Sequence, residues 1–143
     1  MKTRVFVLLA LLLLGSAGPA LADLRILSSP GGQVVSYMRL FALVRATGDR
    51  VVIDGPCFSA CTLALGLLPR RQVCVTRRAV LGFHAPFIRE DDGEEIRLPE
   101  TTQAMLSLYP RRLQSWIRQR GGLTERPIYL RGRALAALFP TCR

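Results

Sequence analysis

Val51-Val52-Ile53-Asp54-Gly55-Pro56-Cys57-Phe58-Ser59-Ala60-Cys61-Thr62-Leu63-Ala64-Leu65-Gly66 is an apolar run that Gly-Pro interrupts and that restarts around one serine. The unbroken apolar character of Val51 to Asp54 predicts a strand covered on both faces, as in a parallel sheet. The alanine- and leucine-rich segment Phe58 to Leu68, stopped by Pro69, predicts a helix. A strand that ends in Gly-Pro and gives way to such a helix places the Ser59 hydroxyl at the helix N-terminus, where a nucleophile can be held. An isolated serine there is most simply an N-cap, its oxygen accepting a bond from an early helix N–H. A catalytic reading therefore needs partners: a base for the hydroxyl proton and donors for an oxyanion.

Upstream, Leu24 to Ser28 reads as a short strand closed by the turn Ser29-Pro30-Gly31-Gly32. Gln33 to Thr47 carries Val34, Met38, Phe41 and Ala42 at helical spacing, with Gly48 as the stop. Downstream, Gln72 to Val75 and Ala79 to Phe83 are short β-type runs. Alternating strands and helices predict an α/β fold, a mostly parallel sheet with right-handed βαβ crossovers, followed by a C-terminal helical part. Ile88 to Leu98 is different in kind: a hairpin around Asp92-Gly93 that holds five of the chain's ten acids. A long helical stretch, Thr101 to Arg120, is interrupted by Pro110, which predicts a kink or two helices. Ile128 to Leu130 is an extended piece, and Gly132 to Phe139 a last helix stopped by Pro140.

The first residues combine a basic Lys2 and Arg4, an apolar Val5 to Leu14 and a small-residue stretch ending Ala20-Leu21-Ala22. This predicts a secretory signal peptide over 1–22 and a single domain over 23–143, located in the periplasm or secreted. The apolar core falls well short of the ~20 residues a membrane span needs, and no later segment is long and uncharged enough for one. The chain carries a formal charge of +10, of which Lys2 and Arg4 contribute two units. Such a balance favours acidic partners, but the arginines form no long basic run, and nucleic-acid binding is not expected. Cys57, Cys61, Cys74 and Cys142 are an even set, which in an exported chain predicts disulfides. Three pairings are open, and we favour Cys61 with Cys74 and Cys57 with Cys142, the latter tying down the C-terminus. The single histidine and these spacings do not meet the zinc templates, so neither a metal nor a cofactor is expected.

His84 ends a strand just before Ala85-Pro86, where a side chain can face a cleft at the sheet edge. Its neutral imidazole can accept a serine proton, although a lone histidine is more often one with a satisfied ring in the core. Gly31 and Gly32, lacking Cβ, let backbone N–H groups approach an oxyanion closely, and the Ala60 N–H offers a further donor. A turn that needs glycine for positive φ would explain one of the two glycines without any catalysis.

In order and spacing, Ser29-Pro30-Gly31-Gly32, Cys57-Phe58-Ser59-Ala60-Cys61 and Val80-Leu81-Gly82-Phe83-His84-Ala85-Pro86 resemble three segments of the Clp protease proteolytic subunit. These are its oxyanion turn, nucleophile turn and histidine strand. The resemblance covers roughly residues 26 to 90, with a looser echo of the family's handle helix in 100 to 120. It implies a ClpP/crotonase-like fold, Ser59 as nucleophile, His84 as base and Gly32 and Ala60 as oxyanion donors, with a peptide substrate and a homo-oligomer. The family's later aspartate has no counterpart between Glu125 and Arg133, so Glu125 is the one carboxylate there that would stand third. Dependence on an ATPase is not implied for an exported, cysteine-bearing chain.

Two functions follow. One is an exported serine hydrolase of peptidase type, working with a Ser59–His84 dyad. The other is a catalytically silent member of the same fold that binds acidic partners or self-associates. Thiol redox chemistry ranks below both, because Cys57 and Cys61 do not form a C-x-x-C motif.

Overall fold

The computed structural model describes residues 22–143. The expected signal peptide lies outside the described residues except for Ala22. Strand β1 (Asp23–Ile26) leads through helix α1 (Val34–Thr47) to β2 (Arg50–Ile53). β1 and β2 pair in parallel, with Leu24 opposite Val51, so the connection is the expected βαβ unit. Helix α1 ends where expected, on Gly48 in the left-handed conformation.

A strand absent from the sequence reading comes next. Immediately after Gly55 the chain forms β3 (Pro56–Phe58) rather than entering a helix. Proline is tolerated as the first residue of a strand, because its missing N–H is not needed there. The Ser29 N–H donates to the Pro56 carbonyl at 2.8 Å, and the Phe58 N–H donates to the Ser29 carbonyl at 3.0 Å. The upstream turn is thus fastened alongside β3. A Cβ on Gly55 would lie 2.0 Å from the Leu27 carbonyl oxygen, so glycine is required where the two segments cross. The helix expected over 58–68 is replaced by a 3-10 turn, Ser59–Leu63, and one α-turn, α2 (Ala64–Leu67).

β4 (Val73–Val75) joins β2 in parallel and completes a sheet of order β1-β2-β4. β5 (Val80–Phe83) joins β3 in parallel. The chain then forms the hairpin β6 (Phe87–Arg89) and β7 (Glu95–Arg97) around Asp92-Gly93. Helices α3 (Pro99–Leu108) and α4 (Arg111–Arg118) follow, then β8 (Ile128–Arg131) and α5 (Gly132–Leu138). β8 runs antiparallel to β5, giving a second sheet of order β3-β5-β8. The α/β class stands, but the strands divide into a small parallel sheet, a small mixed one and a hairpin. Pro110 produces two helices, with Tyr109 and Pro110 both extended between them.

One core joins these elements: Phe41 of α1, Ile53 of β2, Leu81 and Phe83 of β5, Leu113 and Ile117 of α4 and Leu130 of β8 are almost fully buried. Tyr109 and Trp116 pack against Phe83 with ring centroids 5.6 and 6.0 Å away. Asp54, at the end of β2, is a buried carboxylate held by Arg25 at 2.8 Å, by the Thr76 hydroxyl at 2.7 Å and by Arg78. These donors, Arg78 foremost, hold its carboxyl far below the usual carboxylate range.

The disulfides are Cys57–Cys61 and Cys74–Cys142, which corrects the pairing favoured from the sequence. The reason is the strand β3: Cys57 ends up below the 3-10 turn that carries Cys61, and their Cα atoms come within 5.4 Å. The C-terminus returns beside β4, where Thr141 bridges to Val75 and the Cys142 N–H donates to the Val75 carbonyl at 3.0 Å. That return brings Cys142 to Cys74. On loop length alone, the link spanning 68 residues would contribute about 4 kcal/mol and the link spanning four about 2.

Candidate active site

Ser59 follows β3 directly as the first residue of the 3-10 turn, with φ at 53°, the only positive φ on a non-glycine residue among the described residues. Left-handed backbone costs an ordinary residue about 1 to 2 kcal/mol, so its surroundings must hold it there. Ser59 is not the N-cap: that position belongs to Phe58, in extended conformation. The Ser59 hydroxyl therefore does not serve as the turn's cap. Ser59 lines a cleft of about 900 Å³ whose walls include Gly31, Gly32, His84, Phe87 and Met105.

Several contacts fix the strained residue. The Thr62 hydroxyl donates to the Ser59 carbonyl at 2.6 Å. With its single proton so committed, Thr62 accepts from the Tyr109 hydroxyl, also at 2.6 Å. Burial pushes the Tyr109 phenol up to about 12, so it stays a neutral donor. Gly31, at φ 88°, packs directly on the elbow: a Cβ there would come within 2.6 Å of the Ser59 Cβ and 2.7 Å of the Phe58 carbonyl oxygen. The Ser29 hydroxyl, which also bonds the Tyr37 hydroxyl at 2.7 Å, accepts the Gly31 N–H at 3.3 Å. Gly31 is thus needed chiefly for close approach, and its N–H is already engaged.

The remaining amides differ. The Gly32 N–H has no acceptor among the described residues. The Ala60 N–H precedes the first hydrogen bond of its own turn. Gly32 lines the cleft, and Ala60 adjoins Ser59. Ala60 itself is fully buried and is not among the residues that line the cleft.

His84 is half-buried at the end of β5 and faces the same cleft. Its Nδ1 lies 2.8 Å from the Ala85 carbonyl oxygen. A carbonyl only accepts, so Nδ1 carries the proton and Nε2 presents its lone pair. The peptide before that carbonyl is fixed in turn, the Ala85 N–H donating to the Thr124 carbonyl at 2.8 Å. The Phe87 ring packs beside the imidazole with centroids 6.0 Å apart. No hydrogen bond joins Ser59 and His84 directly among the described residues; such bonds often close only around a substrate.

Glu125 is not brought to the imidazole by any described hydrogen bond. Its exposed carboxylate pairs with Arg97 at 2.8 Å. The acceptor at His84 Nδ1 is instead a backbone carbonyl, a group that no side-chain motif advertises. Thr62 and Tyr109 also escaped the sequence reading. Thr62 lies three residues beyond Ser59, a spacing that lets a hydroxyl reach back to a carbonyl; Tyr109, far along the chain, gave no such sign. Among the described residues, no group of three or more metal-binding side chains is gathered, and no helix is long and apolar enough to cross a membrane.

No family model and no curated protein matches the chain. A solved structure titled "Crystal structure of an Enzyme" is similar at a TM-score of 0.57 and 9% identity, over 96% of this chain and 84% of that one. At that identity the likeness is one of fold. A mutant of ClpP1 from Listeria monocytogenes is similar at a TM-score of 0.47 and 12% identity, over 84% of this chain and 71% of that one.

Proposed function

We propose that the protein is an exported serine hydrolase of peptidase type, with Ser59 as nucleophile and His84 as general base. The observation that carries this reading is the left-handed Ser59, held against Gly31 in a cleft it shares with a histidine whose Nε2 is an acceptor. Nε2 takes the hydroxyl proton as the Ser59 Oγ attacks a carbonyl carbon. The oxygen that becomes negative is met by the N–H groups of Gly32 and Ala60. The protonated imidazole then gives its proton to the departing amine, and water hydrolyses the acyl-enzyme by the same path in reverse. The Ala85 carbonyl holds the tautomer but carries no full negative charge, so it stabilises the imidazolium less than a carboxylate would. A slow enzyme is the expected result. The two disulfides fit an oxidising compartment, in keeping with a signal peptide at 1–22.

A fluorophosphonate probe should label the oxidised protein at Ser59. Labelling should vanish in Ser59→Ala and fall sharply in His84→Ala. Correctly folded, oxidised protein that takes no label sinks the proposal.

One observation favours the silent, acid-binding alternative. Arg50, Arg70, Arg71 and Arg143, scattered in sequence, line one cavity of about 520 Å³. Asp23 neutralises only Arg50. On this reading the cavity takes a multiply charged anion, and inorganic polyphosphate is the probe. Binding should weaken with added salt and in Arg70→Ala/Arg71→Ala, and should survive Ser59→Ala. Salt-independent binding would exclude it.

A further inference from the structure

Ser59 sits at the centre of a small covalent ring. The disulfide closes Cys57-Phe58-Ser59-Ala60-Cys61, with two residues on either side of the serine. Both half-cystines are fully buried. Cys57 is anchored on β3, opposite Leu81 of β5 and bridged to Ser29 on its other side. Cys61 is anchored inside the 3-10 turn, against the core. The cross-link therefore ties two fixed points across the base of the one non-glycine residue with positive φ among the described residues.

We infer that the Cys57–Cys61 disulfide is a positioning element that holds the Ser59 hydroxyl and the Ala60 N–H in register for catalysis. This rests on the reading of Ser59 as nucleophile. Left-handed φ at a serine relaxes towards negative φ unless something opposes it. Such a relaxation would swing the Ser59 side chain and the peptide that carries the Ala60 N–H together, relative to Phe58 and the strand before it. One rotation would then misplace both the attacking oxygen and an oxyanion donor. With Cys57 and Cys61 joined across a Cα separation of 5.4 Å, that rotation is restricted. Because both sulfurs are buried, the bond acts as a fixed strut and not as a fast redox switch.

The test is saturation labelling with a fluorophosphonate, which separates the maximal inactivation rate from the half-saturating concentration. Cys57→Ala/Cys61→Ala should lose about 100-fold in the maximal rate, the scale of a small misplacement of a reacting group, with half-saturation little changed. Cys74→Ala/Cys142→Ala should keep the wild-type rate, which separates positioning from loss of any disulfide. A folded Cys57→Ala/Cys61→Ala protein, checked by circular dichroism, that labels at the wild-type rate overturns the inference. An unlabelled wild type overturns the nucleophile reading and the inference with it; a labelled wild type beside an equally labelled variant overturns the inference alone.

Should the Cys57→Ala/Cys61→Ala variant not fold, the Cys74→Ala/Cys142→Ala protein supplies the decision. Its remaining disulfide is opened with a phosphine, which is oxidised to its oxide with oxygen from water while two thiols are released. The labelling rate should fall as those thiols appear. A constant rate in folded, reduced protein counts against the positioning role.

Discussion

The two disulfides join the same atoms and do different work. Cys74–Cys142 spans 68 residues and fastens the returning C-terminus to the parallel sheet, beside a cavity that shares no lining residue with the Ser59 cleft. Cys57–Cys61 spans four residues and encloses the candidate nucleophile. Chain entropy rewards the long closure and little of the short one. The short ring is therefore better understood by what it holds than by how much it stabilises. The same contrast separates the two sheets. The β1-β2-β4 layer is tied by part-buried polar contacts to the buried Asp54 at the end of β2, whereas the β3-β5-β8 layer carries Ser59 and His84 at strand ends that open on a cleft.

That contrast can be broken most directly at the long link. Cys74→Ala/Cys142→Ala should lower unfolding stability by about 4 kcal/mol in denaturant titration and leave Ser59 labelling intact. Loss of labelling in folded protein would show that the two layers are not separable in this way. The next largest effect should come from the site side. Gly31→Ala puts a Cβ into the Ser59 elbow and onto left-handed backbone. It should cut labelling on the order of 100-fold, the scale expected when a reacting group is displaced. An active Gly31→Ala protein would mean that the close approach is not needed.

The smallest and most gradual effect belongs to acid. Asp54 has a lowered carboxyl value in the folded state, through Arg78 first, then Thr76 and Arg25. Relative to the folded protein, the unfolded chain then binds the proton more readily, so stability is present above about pH 4 and is lost as pH falls below it. Melting temperatures between pH 7 and pH 3 should show the decline, and it should be weaker in Asp54→Asn. Identical pH dependence in the two proteins would remove Asp54 from the account.

Much of the site was legible because its pieces are local. Gly31-Gly32, Ser59-Ala60 and His84 are each marked by a turn or strand end in their own segment, and the structure collects Gly31, Gly32, Ser59 and His84 around one cleft. Pro110 announced a kink or two helices for the same reason: a missing N–H acts within one turn. The strand β3 was hidden because three residues beginning with proline carry no period, and its existence depends on Ser29 and β5 lying alongside. The disulfide pairing was lost with it, since a helix starting at Phe58 leaves Cys57 without a nearby partner. The Tyr109–Thr62–Ser59 chain was equally out of reach, because it joins residues 47 apart.

Read alone, the chain specifies its α/β alternation, its turns and a short set of chemically able residues, because periodicity, glycine and proline act over a few bonds. The left-handed conformation of Ser59, the sulfur that meets each cysteine and the carbonyl that holds His84 come from elsewhere. Each depends on bringing distant segments within a few ångströms, and no local preference of the backbone can set that distance.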